Sequence, residues 1–235
     1  MLGTLLNIAA ITAGSALGIA AGARIADKTR VTFLAALGAV TVVFGASMGI
    51  KTANILVPLA GLVIGTLIGE ALDLDGRLEK AGEKLKKRFA SGEKHSRFVE
   101  GFTTASILFC VGPMTVLGSI EDGLHLGIRL LAIKSLLDCI ASATFAAALG
   151  IGVWFSVITV LVVQGSITLF ASALQGVMTP ELVAELSACG GFMMIVIGLG
   201  LLGATKARAT NMLPGLVVTP VIVVVLNALG VGWKI

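Results

Sequence analysis

The chain has 235 residues, 57% of them hydrophobic and 13% charged, with a mean hydropathy of +1.04. Soluble domains carry about 25% charged residues, so a soluble globular domain, a disordered tail and a disulfide scaffold are excluded. The net charge of +4 does not point to nucleic acid, because eight of the 17 Lys and Arg fall between Leu74 and Phe98, as in a cytoplasmic loop obeying the positive-inside rule.

A bilayer core takes about 20 apolar residues per helix. Residues 2–22 supply the first such stretch, carrying Thr4 and Asn7. No basic segment precedes it, so it reads as a retained span rather than a cleaved signal. Residues 31–49 and 53–72 follow; the latter carries Pro58 and a ladder of Gly61, Gly65 and Gly69, a close-packing surface and a candidate seam for a homo-oligomer. In the basic loop, Leu74, Leu78, Ala81, Leu85 and Phe89 recur at spacings of three and four, with Lys80, Lys84, Lys87 and Arg88 largely off that face. This predicts an amphipathic helix on the inner leaflet, attracted to anionic lipid, or a helix that docks a partner.

Residues 101–119 contain Cys110-Val111-Gly112-Pro113-Met114-Thr115. Proline removes a backbone donor and frees the carbonyl one turn back, which predicts a kinked or broken helix whose exposed backbone can meet ions. Residues 128–149 hold Lys134 and Asp138, four apart and therefore on one face. Charges at that depth mark either an ion or substrate site or an orienting ion pair. Residues 152–174 carry Ser156, Gln164, Thr168 and Ser172 as a polar stripe, which lines a path or bonds neighbouring helices. Residues 183–203 and 211–232 complete the set; the last holds Asn211, Pro214-Gly215 and Pro220, a second candidate break.

Together these predict an all-α polytopic transmembrane bundle of about eight spans, one integral membrane domain over 1–235. With the N-terminus outside, the inner loops hold thirteen Lys and Arg, and the outer side only Lys51, Arg129 and Lys234. Both termini are then external and the loop 74–98 is cytoplasmic. At an offset of 157, Asn7 meets Gln164, Asn54-Ile55-Leu56 meets Asn211-Met212-Leu213, and Glu70-Ala71-Leu72 meets Asn227-Ala228-Leu229. At a nearby offset Gly38 meets Gly191 and Gly45 meets Gly198. Spans 1–3 and 6–8 thus read as an inverted repeat, the construction of many secondary transporters. The segments are a first repeat (1–73), the basic loop (74–100), connecting helices (101–150) and a second repeat (151–235). Leu5-Leu6-Asn7 also resembles Leu136-Leu137-Asp138, which competes with that alignment.

The candidate solute- or ion-binding residues are Asp138, Lys134, Gln164, Asn7, Asn211, Pro113, Thr115 and Thr168. No HExxH, GxSxG, P-loop or dinucleotide-binding glycine motif occurs, so no enzyme activity, cofactor, metal site or nucleic-acid partner is expected. Cys110, Cys139 and Cys189 read as small buried hydrophobes, and Glu121 and Asp122 as a solvated outer loop or a cation-attracting entrance.

Several segments resemble the uncharacterised bacterial membrane family of YdfK and YqgA (domain of unknown function 554). They are Phe109-Cys-Val-Gly-Pro-Met-Thr-Val-Leu-Gly-Ser-Ile-Glu-Asp-Gly123, Ile133-Lys-Ser-Leu-Leu-Asp138, Gln164-Gly-Ser-Ile-Thr168 and Asn211-Met-Leu-Pro214. Gly3-Thr4-Leu5-Leu6-Asn7 and Ile68-Gly69-Glu70 are similar as well, whereas Cys139 stands where the family often has glycine. The resemblance implies a bacterial inner-membrane protein and carries over no substrate or site residue. The expected function is secondary transport of a small solute or ion, coupled to an ion or proton at Asp138. A non-transporting scaffold, assembly factor or lipid-interacting protein is the alternative, and a channel the third.

Overall fold

A computed structural model describes residues 1–23, 26–77, 80, 95–110, 112–174, 176 and 178–230. In chain order the helices are α1 (Leu2–Gly22), α2 (Asp27–Gly49), α3 (Leu56–Ala71), α4 (His95–Cys110), α5 (Pro113–Gly123), α6 (Arg129–Leu149), α7 (Gly152–Leu169), α8 (Ala171–Leu174), α9 (Pro180–Leu201) and α10 (Gly215–Ala228), with a 3₁₀ turn at Ala209–Met212 before α10. Every regular element among the described residues is a helix, so each span satisfies its own backbone, as hydrocarbon requires. The chain is an all-α polytopic membrane bundle. Most of the predicted amphipathic helix (Leu78, Ala81, Lys84, Leu85, Lys87, Arg88 and Phe89) lies outside the described residues.

Two compact units are built from interleaved pieces: Met1–Ala36 with Leu78–Gln175, and Leu37–Arg77 with Gly176–Ile235. Segments 1–73 and 151–235 each contribute to both. In the first unit, α1 and α6 run parallel along a glycine seam. A Cβ at Gly14, Gly18 or Gly22 would collide with the carbonyl of Cys139, Ala143 or Ala147 in turn. Glycine lets the two backbones touch, which is how helices gain contact where lipid supplies no hydrophobic drive. Antiparallel to α1 runs α7, with α4 laid on it. Gly152 meets the Phe98 backbone, and the Phe98 and Phe155 rings pack at a tilt of 58° with centroids 5.4 Å apart.

In the second unit, α2 and α9 cross antiparallel through two glycine pairs, Gly38 with Gly198 and Gly45 with Gly191. The ladder of Gly61, Gly65 and Gly69 packs on Thr219, Gly215 and Asn211, so α3 and α10 also run antiparallel. The ladder is thereby occupied within the chain. Val57, Leu182 and Val223 form a small core between α3, α9 and α10.

Among the described residues six helices are long and apolar enough to cross a membrane, or seven if the bent pair α4–α5 counts as one, against eight predicted spans. The differences have local causes. The third stretch yields only the 16-residue α3, because residues 52–55 form a turn before it. The fourth breaks at Pro113, where the axes turn by 62°. The sixth stops at Leu169, and Phe170 turns the chain into α8. Pro214 ends the 3₁₀ segment as predicted, but Pro220 sits inside α10 without breaking it. Pro58 lies in the first turn of α3, where the missing N–H costs nothing.

Candidate functional site

Asp138 is the tenth residue of α6, and Lys134 lies one turn before it on the same face. Both are nearly closed off, with 7% and 5% of their surface exposed. Lys134 Nζ donates to Asp138 Oδ2. Asn7 of α1, fully buried, donates Nδ2 to the same oxygen at 2.9 Å. The α1–α6 glycine seam brings Asn7 to this carboxylate, so the likeness of Leu5-Leu6-Asn7 to Leu136-Leu137-Asp138 marks two segments in face-to-face contact. A charged pair in low dielectric persists only when its geometry is good and further hydrogen bonds satisfy it.

A break in a neighbouring helix borders the pair. The Lys134 ammonium sits 5.8 Å from the centre of the Phe109 ring, within cation–π range. Phe109 is also four residues before Pro113, so its carbonyl loses its helical donor. Thr115 Oγ1 replaces that donor at 3.0 Å. Pro113 and Thr115 therefore act together, one opening the helix and the other closing the freed carbonyl. The freed carbonyl thus has a side-chain donor in place of the lost backbone one.

On α7, the Thr168 and Thr4 hydroxyls pair at 3.4 Å. One turn along each helix toward the ion pair stand Gln164 and Asn7. Gln164 is fully buried, and neither its Oε1 nor its Nε2 has a partner. Asn7 Oδ1 and the hydroxyls of Ser15 and Ser119 are likewise buried and unpaired. Orphaned polar atoms cost about 1–3 kcal/mol each, and one of them, Asn7 Oδ1, belongs to the amide that bonds the Asp138 carboxylate. Among the described residues no group of three His, Cys, Asp or Glu is arranged to hold a metal ion.

Of the predicted residues in the first unit, Asn7 and Lys134 thus both bond Asp138, Thr115 bonds the carbonyl of the Phe109 whose ring faces Lys134, and Thr168 bonds Thr4 one turn from Asn7, while Gln164 is buried on α7 and Pro113 stands at the helix break. Asn211 belongs to the second unit, where its Oδ1 accepts from Asp75 N at 2.9 Å and its backbone receives Gly69. Asp75 also meets Arg208 Nε at 3.6 Å. Two carboxylates have roles that the sequence did not suggest. Asp122, read as part of a solvated loop, is 5% exposed. Its Oδ2 accepts from Gly3 N at 3.1 Å and meets the Met1 amino group at 2.9 Å, closing the N-terminus of α1. Glu185, fully buried on α9, accepts from Thr52 Oγ1, from Ala53 N at 2.6 Å and from Asn54 N at 3.2 Å. It holds the turn that shortens α3. The only sequence signal for Glu185 was a lone acid in an apolar stretch.

Fold and site together define a polytopic α-helical membrane protein with a charged pair buried at mid-helix. The family model described as "Protein of unknown function (DUF554)" matches residues 2–224, and the chain belongs to that family. It is 31% identical to the uncharacterized membrane protein YdfK of Bacillus subtilis (strain 168), over 98% of this chain and 99% of that protein. It is 28% identical to the uncharacterized protein YqgA of Escherichia coli (strain K12), over 92% of this chain and 93% of that one. The family resemblance read from the sequence is thereby borne out. No solved structure matches the chain.

Proposed function

We propose that this membrane protein is a secondary transporter of a small solute or ion in the bacterial inner membrane, with Asp138 as its coupling group, and not an enzyme. The observation that carries the reading is the buried cluster around Asp138: a charged pair, the Asn7 amide that bonds it, and the unpaired oxygen of that amide. Groups that costly persist in hydrocarbon where they serve a pathway.

An inverted repeat supports the same reading. If Gly38 corresponds to Gly191 and Gly45 to Gly198, a two-fold axis in the membrane plane turns the contact Gly38–Gly198 into Gly191–Gly45. Both contacts are present. The termini are external in this topology and the loop 74–98 is cytoplasmic.

The test is flux. Uptake, or solid-supported-membrane current, in proteoliposomes is measured over a panel of ions and solutes for the wild type and Asp138→Asn. A signal lost in the variant supports the reading, and equal signals remove Asp138 from the mechanism. One observation favours a second reading, a non-transporting scaffold: the ion pair is almost closed to solvent. Under that reading no solute moves, and pull-down partners are lost when residues 74–98 are removed.

A further inference from the structure

In the second unit, polar groups tie α3 at both of its ends. At its start, the fully buried Glu185 carboxylate of α9 accepts from Thr52 Oγ1, Ala53 N and Asn54 N. Beyond its end, the backbone N–H of Asp75 donates to the side chain of Asn211, which is fully buried in the turn before α10. Between the two ties α3 rests on α10 through Gly61, Gly65 and Gly69, so it brings no side chain of its own to these three contacts. Its other face, with Leu56, Leu59, Val63 and Leu67, is exposed. In a bilayer that face meets acyl chains as apolar as itself, so moving α3 a little way into lipid carries no hydrophobic penalty. Cys189, fully buried on α9, lies under this seam. The point where a Cβ on Gly215 would stand is 3.1 Å from the Gly61 carbonyl oxygen and 3.4 Å from Cys189 Sγ.

Building on the transport reading, in which the fold must open to each side in turn, we propose that α3 is a rocking gate. Glu185 clips one end and Asn211 the other, and release of either clip opens the α3–α10 seam at that end. The 16 residues of α3 set the clips about 24 Å apart along its axis. Gly65, in backbone contact with Gly215, is the pivot. In the topology proposed above, the Glu185 end is external and the Asn211 end cytoplasmic.

The clips are unequal. The external one is three hydrogen bonds to one carboxylate, and such bonds are roughly twice as strong as those between uncharged groups. The cytoplasmic one is a single bond from a backbone N–H to an amide oxygen. The Arg208–Asp75 contact beside it, at 3.6 Å and near solvent, adds little. The cytoplasmic end therefore opens the more readily. The glycine ladder offers a second handle on each end, because a Cβ is a wedge there. At Gly61 it would strike the Thr219 hydroxyl, toward the external end, and at Gly69 the Asn211 backbone, at the cytoplasmic end.

Cys189 is a built-in reporter for the experiment. In the full chain with Cys110→Ala and Cys139→Ala it is the sole thiol, and its reaction with a membrane-impermeant maleimide is timed in spheroplasts and in inside-out vesicles. The parent chain should react slowly from both sides, and faster in inside-out vesicles. Glu185→Ala should raise the rate from outside, and Asn211→Ala the rate from inside, by about tenfold each, as the loss of one or more hydrogen bonds allows. Glu185→Gln, which keeps an acceptor for the Ala53 and Asn54 N–H groups, should stay close to the parent. If either alanine variant does not fold, the wedges Gly61→Ala and Gly69→Ala make the same comparison, the first opening outward and the second inward. Rates untouched by every variant would overturn the proposal, as would both ends opening to one side. Side-specific exposure of Cys189 without flux of any solute would keep the rocking helix and remove transport. Asp138-dependent flux with Cys189 sealed in every variant would do the reverse.

Discussion

Lys134 and Asp138 were legible as a pair because two charges four residues apart in an apolar stretch have one geometric consequence. Their partners were less so: nothing local in the sequence says that Asn7 meets Asp138, 131 residues away. Glu185 was missed for the same reason, since the donors that hold it come from residues more than 130 positions upstream. The energetics of the pair can be separated from its function. Replacing one member leaves an uncompensated buried charge, a loss of about 3–5 kcal/mol, whereas replacing both by apolar residues of similar volume is close to neutral. Lys134→Met or Asp138→Leu alone should therefore lower the melting temperature in detergent sharply, and the double variant should recover most of it. Recovery of stability without recovery of flux is the signature of a pair kept for its chemistry. At the helix break, Thr115→Val removes the hydroxyl that donates to the Phe109 carbonyl and should cost about 1–3 kcal/mol. Thr115→Ser, which keeps the hydroxyl, should cost much less by the same melting measurement.

Helices were the most legible level, because apolar runs of span length have few other structures open to them in a bilayer. Their ends were less legible. The start of α3 is decided by the Glu185 carboxylate gathering the 52–54 turn, a tertiary effect invisible to hydropathy. Proline behaved by position rather than by presence: Pro113 breaks a helix, Pro58 opens one and Pro220 is carried within one. Glycine divides in the same way. A Cβ at Gly65 would run into the backbone of Gly215, whereas one at Gly200 meets nothing within 4 Å. Gly65→Leu should thus push α3 off α10 and destabilise the chain by about 1–3 kcal/mol or more. Gly200→Ala should be neutral or gain up to about 1 kcal/mol from helix propensity. Melting curves of the two variants under one condition check both. If they fell by the same amount, the contact between α3 and α10 would not be a backbone-to-backbone one.

At the scale of the molecule, a repeat can be read from sequence only as weak similarity, since the axis relating two halves is a property of coordinates. What the structure adds is reciprocity in the second unit: α2 and α9 run antiparallel, so their C-terminal ends lie at opposite ends of that unit. Lys51 follows the first of these ends and Lys206 follows the second, and both are exposed. An inverted repeat and the positive-inside rule then make one joint prediction, with Lys51 external and Lys206 cytoplasmic. In a chain whose Cys110, Cys139 and Cys189 are replaced by alanine, Lys51→Cys should react with a membrane-impermeant maleimide on intact spheroplasts. Lys206→Cys should react only after the membrane is opened. The two possible failures differ in meaning. Reversed labelling would keep the repeat and turn the protein over, placing the basic loop outside. Labelling of both sites from one side would contradict the antiparallel crossing of α2 and α9, and with it the two-fold relation on which the transport reading leans.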